Sequence, residues 1–407
     1  MTNLLWPGDH RAGEVMTDET LLRSMVAVES AWLAALAAAG LAPADCGGGT
    51  DLWHLLAEGD CESLAAGAED GGNPVIGLVA LLRQRAAPAV ADWIHRGLTS
   101  QDVIDTGLML AVRAAADHLT SQLAEQITAL SALADAHRAT PMVARTLTQQ
   151  AAPTMFGVKV AGWLNGVLDA YQRVVTLATP VQLGGAVGTW SATTELASGA
   201  QNPAELAEAV VGIAATTLGL QARLPWHTNR MPVTAVADSL VACTDSWSRI
   251  GSDVVTLARP EIGELSEPAA ANRGGSSSMP HKRNPVLSIL IRRTGISAPQ
   301  LAATLHTAAA LANDERPDGA WHAEWDTLRT LARRTVVAGS QCGELLTGLV
   351  VNSARMSENL SAADVLGEQR AIAELLGKAP SATYFGAVDR MIDESLHRAR
   401  QVLGESR

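Results

Sequence analysis

The stretch Gly274-Gly275-Ser276-Ser277-Ser278-Met279-Pro280-His281-Lys282-Arg283-Asn284-Pro285, GGSSSMPHKRNP, joins five small residues to a segment stiffened by two prolines. Three consecutive serines between a glycine pair and Met-Pro favour a mobile loop over a helix, and Pro285 suits the start of the helix that follows. Asn284 then falls where an N-cap belongs. Lys282 and the helix N-terminus together present positive potential, the arrangement that holds an anion. The same surroundings can stabilise a serine alkoxide, although free serine is far too weak an acid to ionise at neutral pH. A linker ahead of a capped helix is the plainer account of GGSSS alone; the fixed residues after it turn the reading toward a site.

Outside this stretch the chain is dominated by apolar residues at helical spacing, rich in alanine and leucine, with almost no sustained alternation of β-branched and polar residues. The expected fold class is all-α. Thr17-Asp18-Glu19-Thr20 opens a first capped helix that Gly40 and Pro43 close. Further helices are expected over about 100–137, 153–178, 231–259, 284–312 and 323–349, five long antiparallel rods that make a bundle. Breaks are expected at CGGGTD, AEDGGNP, TPVQLGGAVGTW, GGSSS and NDERPDGAW. Helices so rich in alanine pack closely but bury little area each, so further burial between subunits is expected.

The 407 residues suffice for two or three domains, and 47% apolar with 18% charged residues marks a globular chain. A formal charge of -12 argues against a nucleic-acid or anionic-membrane partner, both of which are bound through clustered Lys and Arg. A small anion remains compatible, because a few local cations can dominate a pocket. Cys46, Cys61, Cys243 and Cys342 show neither CxxC nor Cys/His ligand spacing, so reduced thiols and no metal are expected. MTNLLWPGDHRAGEV has no leader pattern, and no uninterrupted apolar run reaches membrane-span length. The expected compartment is the cytoplasm.

Two other segments carry hydroxyl and amide groups in context: His95-Arg96-Gly97-Leu98-Thr99-Ser100-Gln101-Asp102, and Arg145-Thr146-Leu147-Thr148-Gln149-Gln150-Ala151-Ala152-Pro153-Thr154. With SSSMPHKRNP they resemble, in order and spacing, the HxGxTSxD, RTHxQxAxPT and SSxMPxKxNP regions of the fumarase/aspartase superfamily. LLWPGDHRAGEVMTD and GAWHAEWDTLR look like the branch of that superfamily containing bacterial 3-carboxy-cis,cis-muconate cycloisomerases. The resemblance implies three helical domains, 1–98, 99–351 and 352–407, with a central long-helix bundle. It also implies a homotetramer whose active sites are shared between subunits, and chemistry without a metal or organic cofactor.

By the same resemblance Ser276 is the catalytic serine, and Lys282 and Asn284 bind a carboxylate. Thr99 and Ser100 hold a second carboxylate, Thr146 and Gln149 touch substrate, and His95 faces the site. Taken alone, a Thr-Ser pair is more often an N-cap and a lone His more often structural. Arg316, Arg292 and Arg293 are candidates for further carboxylate contacts. In Trp321-His322-Ala323-Glu324-Trp325 the i, i+4 tryptophans read as helix packing.

The chemistry implied moves a proton at the carbon alpha to a carboxylate, through an intermediate with extra negative charge that prealigned donors must stabilise. Leu147 stands where many relatives carry histidine, the general acid for a basic leaving group. Its presence fits lactonisation of 3-carboxy-cis,cis-muconate, a small tricarboxylate whose own carboxylate is the nucleophile and is already deprotonated at neutral pH. The alternatives are an argininosuccinate/adenylosuccinate-type or specialised-metabolism lyase that releases fumarate or a related diacid, and a catalytically silent oligomer.

Overall fold

The computed structural model describes residues 3–46, 51–271 and 273–404. Fourteen α-helices and two small two-stranded ribbons lie among them. The N-terminal part holds α1 (Asp18–Ala38), α2 (Asp60–Gly71), α3 (Val75–Arg85) and the single turn α4 (Pro88–Ala91). Next come α5 (Ser100–Ala136), the hairpin β1 (Pro141–Thr146) and β2 (Gln149–Met155), α6 (Phe156–Val175), α7 (Ser191–Leu196) and α8 (Pro203–Leu218). Then follow α9 (Met231–Leu257), β3 (Leu265–Ser266), α10 (Val286–Ala310), α11 (Gly319–Thr347) and β4 (Val350–Val351). The last elements are α12 (Ser353–Ser361), α13 (Gly367–Leu375) and α14 (Val388–Leu403). The break expected at CGGGTD falls largely on residues 47–50, outside those described.

The five long helices are α5, α6, α9, α10 and α11, and they pack as the bundle read from periodicity. Small residues let these helices approach closely, and indole rings fill the core: Trp32 on α1, Trp226 ahead of α9 and Trp247 on α9 are all buried. Each buried ring also needs an acceptor for its N–H. Trp32 donates to the Arg96 carbonyl at 2.6 Å, Trp226 to the Val181 carbonyl at 2.9 Å and Trp247 to Gln126 Oε1 at 2.7 Å. One apolar cluster runs from Ala12 to Ala399, so a single core joins the N-terminal helices, the bundle and α14. Helix α1 is apolar enough over 18 residues to pass for a membrane span by length and composition. Its Val26, Trp32, Leu33 and Leu36 are nevertheless buried in this core, against α5 and α8.

Some helix starts follow their local signals and others do not. Thr17 caps α1 by accepting from the Thr20 amide at 3.2 Å. The helix expected from Pro153 begins only at Phe156, because residues 141–155 form an antiparallel hairpin with Pro153 opposite Val143. A two-stranded ribbon is all edge, and its ladder shifts register between Val143 and Arg145, so it tolerates the proline.

At one end of the bundle Arg230 is buried between two carboxylates. Its guanidinium donates to Asp105 at 2.7 and 3.0 Å and to Glu324 at 2.5 and 3.1 Å. Asp105 also accepts from Trp321 Nε1 at 2.9 Å and Gln101 Nε2 at 3.2 Å. The segment WHAEW therefore contributes a polar lock as well as the packing expected of its tryptophans. Burial alone would depress Arg230, but Asp105 and Glu324 hold it above the ordinary arginine range. Burial raises Glu324, against the pull of Arg230.

Removing the guanidinium strands two buried carboxylates, a change that costs about 3–5 kcal/mol. Arg230→Met is expected to lower stability by that amount in urea unfolding. Glu324 binds its proton more tightly folded than unfolded, so its burial costs stability at neutral pH and the cost shrinks as pH falls into the carboxylate range. Glu324→Gln should therefore be far milder than Arg230→Met and should flatten that part of the pH–stability curve.

Candidate active site

The N-terminus of α5 is built around Asp102, which is fully buried. Its carboxylate accepts the amides of Gly184 and Gly185, each at 2.8 Å, the Thr99 amide at 3.0 Å, and Gln182 Nε2 at 3.3 Å. His227 Nε2 lies 3.1 Å away. An acid in the first turn also complements the helix dipole. A Cβ on Gly184 would meet the His227 ring and Pro225 at 2.8 Å, so only glycine lets the loop TPVQLGGAVGTW press this closely. What the sequence shows as a break is the fastening of the helix start.

Thr99 and Ser100 sit at that start. Thr99 Oγ1 receives Arg316 Nη2, which also reaches the Ala186 carbonyl at 3.3 Å. Of the three candidate arginines, this geometry puts Arg316 beside the hydroxyl pair. Arg293 instead stacks on Trp6, and Arg292 packs toward Gly251. His95 adopts left-handed backbone, φ 63°, and its Nδ1 lies 2.6 Å from Oε1 of the buried Glu29. This contact fixes the ring from one side. Glu29, a lone acid in the apolar run VAVESAWL, is the kind of buried charge that sequence can flag but cannot pair.

The GGSSS loop lies at the other end. Ser276 Oγ accepts the Met279 amide at 3.1 Å and the Ser278 amide at 3.4 Å. Two N–H groups aimed at one oxygen favour negative charge on it. Lys282 is exposed just beyond. Asn284 does not cap the helix as expected: its amide and Nδ2 both donate to the Gly274 carbonyl, at 2.8 and 3.2 Å. That bond closes the loop at its neck. A Cβ at Gly274, φ +73°, would strike the Asn284 carbonyl at 2.6 Å.

Nor is the N-terminus of α10 open to an anion. Glu267 occupies it, accepting the Leu287 amide at 3.0 Å and the Ser288 amide at 2.6 Å. No local pattern revealed this cap, because the acid lies some twenty residues upstream. Across the loop base, a 420 Å³ cleft is lined by Glu267, Arg273, Gly274, Arg283 and Asn284.

The hairpin stands at this same end. Arg145 forks onto the buried Glu264 at 2.7 and 3.0 Å, and Asn359 joins them at 2.7 Å. The arginine of RTLTQQ is therefore structural, while Thr146, Leu147 and Gln149 project exposed at the tip. Leu147 and Thr148 both have positive φ, 49° and 71°. A primed turn normally takes Asn-Gly, so a leucine and a β-branched threonine there store backbone strain.

The structure thus gathers His95, Thr99, Ser100 and Arg316 at one end and Thr146, Gln149, Ser276, Lys282 and Asn284 at the other. Helix α5 separates them: 37 residues span about 55 Å. A single chain does not bring the two groups together.

Comparison with known proteins agrees with the motifs. The family described as "Lyase" matches residues 64–298, and the chain belongs to this family, within the fumarase/aspartase superfamily. It is 43% identical over 375 residues to a nitrosuccinate lyase from Streptomyces davaonensis, covering 89% of this chain and 78% of that one. It is 37% identical over 397 residues to a 3-carboxy-cis,cis-muconate cycloisomerase from Bradyrhizobium diazoefficiens, covering 95% and 86%. The crystal structure of 3-carboxy-cis,cis-muconate lactonizing enzyme from Pseudomonas putida superposes with a TM-score of 0.79 at 31% identity, covering 97% of this chain and 88% of that one.

The cap at α10 gives a direct check. Glu267→Ala leaves two helix amides without their acceptor and is expected to cost about 1–2 kcal/mol in thermal or urea unfolding.

Proposed function

We propose that the chain is a lyase that takes a proton from the carbon alpha to a carboxylate of a small polycarboxylate and expels from the adjacent carbon a group that departs without a proton. The observation that carries this is the pair of amides on Ser276 Oγ, which stabilises the serine as a base. The hairpin tip meanwhile offers Leu147 where a proton-donating imidazole serves a basic leaving group.

Nitrosuccinate fits these terms, and the 43% identical relative supports it. Ser276 removes a C3 proton, the electron pair forms the C2–C3 double bond, the C2–N bond breaks, and fumarate and nitrite leave. Nitrite is a weak base and needs no acid to depart. Lys282, Asn284, Thr99, Ser100 and Arg316 are assigned to the two carboxylates, whose charge grows in the aci-carboxylate transition state. Thr146 and Gln149 border the substrate, and His95, held by Glu29, faces it. No metal or organic cofactor is assigned a step.

The second reading is lactonisation of 3-carboxy-cis,cis-muconate, favoured by the relative at 37% identity. There Ser276 delivers the proton while a substrate carboxylate closes the ring, again without need of an imidazole. The two readings differ in product. Nitrite assayed by diazotisation, with fumarate by NMR, is expected on incubation with nitrosuccinate; lactone from 3-carboxymuconate without any nitrite from nitrosuccinate would reverse the order. Ser276→Ala should lower kcat by about a thousandfold or more, the scale of losing a catalytic base. Leu147→His should leave nitrite release no faster, since the leaving group has no use for a proton.

Assembly belongs to the same proposal. A homotetramer that lays one chain's α5 start beside other chains' hairpin and loop closes the separation of about 55 Å along α5. Boundaries near 98 and 351 then divide a bundle that assembles from two flanking domains. Mixing and reassembling Ser276→Ala chains with Thr99→Val chains, each inactive alone, is expected to restore activity. Failure despite confirmed hybrid assembly would place the site within one chain.

A further inference from the structure

Away from both ends of the bundle, two guanidinium groups share one indole. The Arg293 Cζ atom lies 3.6 Å and that of Arg334 4.0 Å from the centre of a Trp6 ring. Trp6 itself is buried, in a segment whose Leu4 and Leu5 are exposed. Among the described residues no carboxylate pairs with either arginine. Arg293 makes one long contact, Nη2 to the Pro7 carbonyl at 3.4 Å, while its Nε and Nη1 and the Trp6 Nε1 are buried without acceptors. Asp9 and Asp326 attract Arg334 from nearby, but Asp9 is engaged by Arg333 at 2.8 and 3.1 Å.

In a chain of charge -12, two adjoining arginines without a paired acid stand out. Neighbouring arginines show the contrast: Arg11 and Arg273 share Glu344 at 2.6 and 2.5 Å. Two cations held together without an acid repel each other. Burial and the Arg334 charge lower Arg293 to about 10. The indole face offsets part of this, since a cation over an aromatic ring is worth about 0.5–2 kcal/mol. It leaves the N–H donors unmet.

We propose that Trp6, Arg293 and Arg334 form a second anion site, separate from the one around Ser276, and that its ligand is a carboxylate. The guanidinium fork matches a carboxylate bidentately, and the two arginines supply more charge than one carboxyl group neutralises, which suits a di- or tricarboxylate. Arg334 lies ten residues before Glu344, the partner of Arg273 at the loop base, so about 15 Å of α11 separates this site from that loop. The carboxylate can come from a free polycarboxylate or from an Asp or Glu of a second copy.

Titration calorimetry of the assembled protein with citrate in chloride buffer tests this, beside Arg334→Gln, Arg293→Gln and Trp6→Phe, each confirmed folded by far-UV circular dichroism. Wild type is expected to bind one more citrate per chain than Arg334→Gln. Arg293→Gln should weaken that site tenfold or more, and Trp6→Phe, which keeps a ring face and loses the N–H, a few-fold. Unchanged citrate binding with loss of assembled mass by light scattering in Arg334→Gln would assign the carboxylate to a second copy. Equal citrate binding in all forms together with unchanged mass would overturn the site.

Discussion

The structure depends on two acids one turn apart on α5. Asp105 holds the buried Arg230, and through it Glu324 of α11, while Asp102 gathers the 182–185 loop and His227. Each is an acidic side chain buried away from water, a transfer tolerated only when charge partners and hydrogen bonds replace the lost hydration. That requirement is directional. It fixes the axial level of α5 against α9 and α11, which smooth alanine and leucine surfaces alone would leave free to slide. The hydroxyls of Thr99 and Ser100 inherit their position from this lock.

The opposite end is organised by different means. Glu267 fastens the start of α10, Glu264 fastens the hairpin through Arg145, and the Gly274–Asn284 bond closes the neck of the loop. The frame is rigid, and what it presents is exposed: Ser276 under two amides, Lys282, and a strained turn at Leu147–Thr148. Supported side chains thus stand at both ends of a rod about 55 Å long, the Thr99–Ser100 pair at one and the Ser276 loop at the other.

Much of this was legible in the residues. Helical periodicity placed the five rods to within a few positions, since the long apolar stripes have no competing pattern. The hairpin was missed because Arg145 to Thr154 carries neither strict alternation nor an Asn-Gly turn; its turn is made from leucine and threonine, held against preference by the Arg145–Glu264 bond. Asn284 before a proline has the local appearance of an N-cap. The cap is Glu267, because a charged acceptor that tertiary packing brings to two free amides outcompetes a neighbouring amide side chain.

By itself the sequence determined the helical class, the family and the three chemical segments, because these rest on residue type, spacing and order along the chain. Only the tertiary structure decided which groups are spent internally and which remain available. Arg145 and Glu267 are consumed by bonds within the fold, and Arg316 is brought to Thr99. Ser276 receives two amides, while Arg293 and Arg334 are left on Trp6 without an acid. Those outcomes depend on contacts between residues tens to hundreds of positions apart, which the geometry of packing sets and local sequence does not encode.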